Sequence, residues 1–169
     1  LMAEKSPATK SKERHYTAEE LQRVVRKNGD RPPPVPPEQR DVPLIPNGWQ
    51  GLMDYYRGIC GTGPEVSQWL VPKLDVFGTT VSRPNIVLAC LLKEIEYRCR
   101  ALGMGNLKFN YITTTAHKPG PHGLGLAVDF DPGKNPLAHA HEGTFDVPLA
   151  FAEELQRMGF VWGIYFDRS

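Results

Sequence analysis

A chain of 169 residues, 40% apolar and 23% charged, is long enough for one domain with its own core and some additional tail. A net charge of +1 offers no basic surface for nucleic acid or anionic membrane, and no apolar run approaches the roughly 20 residues that span a bilayer. Three cysteines, Cys60, Cys90 and Cys99, without a CxxC pair, make no disulfide framework and read as reduced thiols.

The opening "LMAEKSPATKSKERHYT" is polar and lysine-rich, with no apolar run of the secretory-signal type. "YTAEELQRVVRKNGD" predicts one short helix, capped by Thr17 with Glu20 completing a capping box and Gly29 as the stop. Leu21, Val24 and Val25 give it only a narrow apolar stripe. "RPPPVPPEQRDVPLIP", with seven prolines, predicts a stiff extended connector: a spacer or an arm lying on the domain, with an SH3-type ligand as the alternative. Residues 1–46 thus form a polar arm, and residues 47–169 the globular part.

"NGWQGLMDYYRGICGTG" mixes aromatics and glycine and has no clear period. "NIVLACLLKEIEYRCRALG" predicts a helix with Ile86, Cys90, Leu91, Ile95 and Leu102 on one broad face and Gly103 as its stop. In "NLKFNYITTT", Leu107, Phe109 and Tyr111 alternate with Lys108 and Asn110, the period of a half-buried strand. "GLGLAVDFD" predicts a second, more apolar strand. Asp146 is placed to cap the helix "VPLAFAEELQRMG", with Pro148 in its first turn and Phe151, Leu155 and Met158 inward. "FVWGIYF" predicts a last strand. This order predicts an α+β domain, with helices on one side of a small antiparallel or mixed sheet.

The chemistry concentrates in "PHGLGLAVDFDPG". His122 and Asp129 are seven residues apart, so in a straight strand their side chains would point to opposite faces. Glycines at 123 and 125 permit a turn or bulge that would fold both toward one point. An imidazole and a carboxylate with apolar flanks suit Zn²⁺. The plainer reading is a loop histidine and an acid capping a turn.

The same stretch, "HGLGLAVDFDPGKNP", resembles the M15 family of zinc D-alanyl-D-alanine carboxypeptidases and related peptidoglycan peptidases, which share a fold with the Hedgehog signalling domain. The family pattern S-x-H-x-x-G-x-A-x-D is matched at His122, Gly125, Ala127 and Asp129. "NP" at Asn135 and Pro136 and "GFVWG" at Gly159 to Gly163 resemble later family blocks in the same order. The resemblance spans roughly residues 85–169. It implies a Hedgehog/DD-peptidase-like fold, His122 and Asp129 as two of three zinc ligands, and hydrolysis of peptidoglycan stem peptides at D-Ala-D-Ala or L-Ala-D-Glu type bonds. The proline-rich arm fits an extracytoplasmic or cell-wall-directed enzyme of this kind, secreted or phage-delivered.

The chain departs from the family pattern in several places. Gly120 stands where the family has serine, and the family's upstream arginine has no counterpart in "TTTAHKPG", where His117 and Lys118 are the nearest basic groups. His117 is therefore the candidate for contacting substrate. The third ligand is expected as a histidine after "GFVWGIYFDRS", beyond Ser169; His139, His141 and Glu142 in "NPLAHAHEGTFD" are the alternative donors. Asp167 is the candidate general base, taking a proton from water and passing it to the leaving amine. The rival reading is a peptidase-like domain that has lost catalysis and acts as a binding module.

Overall fold

The computed structural model describes residues 14–25, 31–114, 120–135 and 147–165. They form helices α1 (Ala18–Gln22), α2 (Gly48–Cys60), α3 (Ile86–Ala101) and α4 (Leu149–Arg157). The strands are β1 (Val24–Val25), β2 (Lys73–Val76), β3 (Thr79–Ser82), β4 (Ile112–Thr113), β5 (Asp129–Phe130) and β6 (Val147–Pro148). The α+β class holds. Among the described residues the strands pair as three two-stranded antiparallel sheets, β1–β6, β2–β3 and β4–β5. No helix among these residues is long and apolar enough to cross a membrane.

Two compact units divide the chain. One takes the described residues of Leu1–Leu44, Glu94–Leu107 and Gly133–Ser169; the other is Ile45–Lys93 with Lys108–Pro132.

In the first unit, α1 begins at the capping box legible in the sequence, with Thr17 accepting from the Glu20 amide and Glu20 from the Thr17 amide. It ends at Gln22, because Val24 and Val25 leave the helix to pair with Pro148 and Val147, and the stop expected at Gly29 lies outside the described residues. β-branched residues lose little in a strand, and a tertiary partner decides. Val25, Leu149 and Ile164 share a core cluster backed by Trp162 and Tyr165. The expected last strand is instead a 3₁₀ turn, Gly163–Tyr165: Ile164 packs inward there and the Trp162 and Tyr165 rings meet edge to face. The proline-rich stretch lies along α4 and the residues after it. Val35 donates to Gln156 Oε1, Arg40 binds the carbonyls of Val35, Gln156 and Phe160, and Tyr165 donates to the Pro32 carbonyl. The cap expected of Asp146 lies outside the described residues, and Pro148 occupies the N-cap position of α4.

Glu154 is fully buried and gathers three arginines. Arg14 grips it bidentately at 2.8 Å, Arg98 reaches it at 3.3 Å and Arg157 at 3.2 Å. Arg98 also holds Asp41 at 2.7 Å. The sequence gives no sign of this network, since i,i+4 spacing shows only helical pairs.

α3 is the helix expected, but its buried side is turned. Of the expected face Ile95 and Leu102 are buried, but Ile86 and Cys90 are exposed, and Leu88, Leu92 and Cys99 are buried instead. Its stop is a Schellman motif: Gly103 at φ +100 donates to the Arg100 carbonyl and Met104 to the Cys99 carbonyl. Among the described residues all three cysteines are free thiols.

In the second unit, the unassigned "NGWQGLMDYYRGICGTG" is α2, with Met53 and Cys60 inward and Tyr55 and Ile59 exposed. A hairpin unforeseen from the sequence follows, β2–β3, with Val76 opposite Thr79. Its two turn residues, Phe77 and Gly78, both have positive φ, the requirement of a two-residue hairpin of matching twist. Phe77 tolerates that conformation because its ring is buried edge-on against Phe109, at 5.7 Å between centroids, and near Phe130. The strand expected from "NLKFNYITTT" shrinks to Ile112–Thr113. Phe109 and Ile112 are buried but Tyr111 is exposed, so strict alternation fails.

Candidate functional site

The site lies wholly in the second unit, on the turn that enters β5 and on β5 itself. "GLGLAVDFD" is not a continuous strand. Residues 121–125 coil through successive turns, closed by Gly123 N to Gly120 O, Gly125 N to His122 O and Leu126 N to Pro121 O, and only Asp129–Phe130 is extended and paired. Leu124 drops into a core cluster with Met53 and Val66, which pins the middle of the turn.

Two glycines make this turn possible. Gly125 has φ +69, and a Cβ there would stand 2.6 Å from the Asn85 amide nitrogen and 2.8 Å from Leu70 Cδ2. Gly120 has φ +87 in open space. Glycine at 120 therefore has a backbone reason, since side chains resist that region.

Asn85 holds the turn from outside. Its side-chain amide donates to the Leu124 carbonyl at 3.1 Å and lies 3.6 Å from Cys60 Sγ, and its backbone amide donates to the Gly125 carbonyl at 2.9 Å. Its Oδ1 accepts from the Val87 amide at 3.0 Å, capping α3. One fully buried asparagine thus joins the start of α3 to the loop that carries His122. A sequence reader sees only an asparagine before a helix.

Neighbouring residues of β4 locate the two site side chains, which answers how groups seven apart can meet. Thr113 is the register partner of Asp129. The next residue, Thr114, offers its carbonyl to His122 Nδ1 at 2.6 Å. A carbonyl can only accept, so Nδ1 carries a proton, and in the neutral ring Nε2 therefore has the lone pair. That Nε2 stands 3.8 Å from Asp129 Oδ2. The gap is too long for a hydrogen bond.

A neutral imidazole nitrogen and a carboxylate oxygen at that separation are spaced for a cation between them. Two ligands of one tetrahedral Zn²⁺, each about 2.1 Å from the metal, stand about 3.4 Å apart, so the pair fits zinc with a shift of about 0.4 Å. Fixing the far imidazole nitrogen on a backbone carbonyl is the usual way a zinc histidine is oriented. The side chains remain 28% and 47% exposed, leaving the pair open to an incoming group.

Among the described residues no group of three His, Cys, Asp or Glu side chains converges. His117, Lys118, His139, His141, Glu142 and Asp167 all lie outside the described residues. No family model, curated protein or solved structure matched the chain.

Proposed function

We propose that the chain is a zinc-dependent peptidase of the M15 type, with a Hedgehog/DD-peptidase-like fold, acting on peptidoglycan stem peptides outside the cytoplasm. The observation that carries this reading is the pairing of His122 Nε2 with Asp129 Oδ2, with Nδ1 tied to the Thr114 carbonyl. It falls on the same residues as the motif match at His122, Gly125, Ala127 and Asp129.

In this reading His122 and Asp129 are two of the three protein ligands. Zinc, when bound, supplies Lewis acidity toward a scissile carbonyl and toward water. The chain's own part is to hold both ligands on the turn and on β5, and to leave their outer side open for a peptide. His117 is assigned to contact with substrate and Asp167 to taking the proton from water.

The test is zinc affinity by competition with a chromophoric chelator, followed by mass spectrometry of stem-peptide substrates incubated with the zinc-loaded protein. His122→Ala and Asp129→Ala should each weaken zinc at least about ten-fold and abolish release of D-alanine or of shortened peptide. Unchanged affinity in either variant refutes the site. Zinc uptake without cleavage refutes the peptidase and leaves the binding module.

A further inference from the structure

We infer that the Thr114 side chain is a positioning residue of this site: its hydroxyl, latched to the end of β3, fixes the carbonyl that sets the tautomer and direction of His122. Thr114 is 1% exposed, and its Oγ1 donates to the Ser82 carbonyl at 2.9 Å. Ser82 ends β3, and among the described residues β3 has no ladder with β4. The hydroxyl bond therefore does for Thr114 what a backbone ladder does elsewhere in a sheet, holding its peptide plane.

Three links run in series: the Ser82 carbonyl to the Thr114 hydroxyl, the Thr114 carbonyl to His122 Nδ1, and His122 Nε2 to the gap before Asp129. Cutting the first link frees the Thr114 carbonyl to turn away. His122 then loses the bond that favours Nδ1–H and populates the Nε2–H tautomer, which has no lone pair facing Asp129. The consequence for metal binding rests on the proposed zinc site; the hydrogen-bond chain does not.

The experiment compares the native protein, Thr114→Val and Thr114→Ser, all metal-free at mildly alkaline pH, by long-range proton–nitrogen spectra of the His122 ring. Zinc affinity is then measured on the same samples. The native ring should show a protonated Nδ1 and an unprotonated Nε2. Thr114→Val should average the two nitrogens and weaken zinc about ten-fold, and Thr114→Ser, which keeps the hydroxyl, should match the native protein in both. A role confined to packing would leave the tautomer unmoved.

A native tautomer spectrum in Thr114→Val, an Nε2–H tautomer in the native protein, or loss of the tautomer in Thr114→Ser would each overturn the inference. If the valine variant does not fold, Thr114→Ala, which also lacks the hydroxyl that donates to Ser82, takes its place and must lose the Nδ1–H bias in the same way. A valine variant that loses the tautomer bias while no form takes up zinc upholds the positioning role and overturns the zinc reading.

Discussion

Removing the side chain of Asn85 tests how the site loop is held. Asn85→Ala deletes the Oδ1 cap on the Val87 amide and the Nδ2 bond to the Leu124 carbonyl, while the backbone bond to Gly125 remains. Loss of an asparagine cap costs about 1 kcal/mol. Asn85 and Leu124 are buried, and a buried carbonyl left without a donor costs about 1–3 kcal/mol more. The expected loss is therefore about 2–4 kcal/mol. With a urea m-value of about 2 kcal/mol/M, the unfolding midpoint should fall by about 1–2 M. Asn85→Asp separates the two contributions. It keeps an oxygen for the Val87 amide, but sets a buried carboxylate against the Leu124 carbonyl, with only the weakly donating Cys60 thiol to meet it. It should be at least as damaging as alanine. A loss under about 0.5 kcal/mol for Asn85→Ala, or a near-native Asn85→Asp, would refute the clamp, by the same bond energies.

Gly125→Ala should cost about 2 kcal/mol or more in urea unfolding, because it combines φ +69 with a Cβ 2.6 Å from the Asn85 nitrogen. Gly105→Ala, which meets nothing within 4 Å, is the control and should be close to neutral. Glu154→Gln removes the charge shared by Arg14, Arg98 and Arg157 and should cost about 3–5 kcal/mol; a loss below about 1 kcal/mol would mean that the arginines need no buried counter-charge. Burial raises the hydroxyls of Tyr16, Tyr56 and Tyr165 above the ordinary tyrosine value. A raised folded value means that the unfolded chain ionises first, so stability is intact below about pH 10 and falls as pH rises through the folded values. Urea midpoints taken across that range should decline, and Tyr16→Phe should blunt the decline. A flat profile would refute the burial account.

The sequence by itself determined what depends on a few neighbouring residues. The Thr17–Glu20 box starts α1, Gly103 ends α3 in a Schellman motif, and the glycines of "GPHGLGL" make a turn before Asp129. These are local because the partners of each hydrogen bond lie within one turn of chain. His122 and Asp129 stood out for the same reason, as residue types in a short pattern.

Tertiary structure decided whatever needed a distant partner. Val24 and Val25 leave α1 only because Val147 and Pro148 await them. The inward side of α3 turned from Ile86 and Cys90 to Leu88 and Leu92, because helical spacing gives a stripe but not what covers it. Phe77 accepts a left-handed turn because Phe109 and Phe130 enclose its ring. In the site, spacing left the histidine and the aspartate on opposite faces of a straight strand. Thr113 beside Asp129 and Thr114 beneath His122 bring them to 3.8 Å, through contacts 16 and 8 residues away along the chain. No window short enough to hold the motif contains that arrangement.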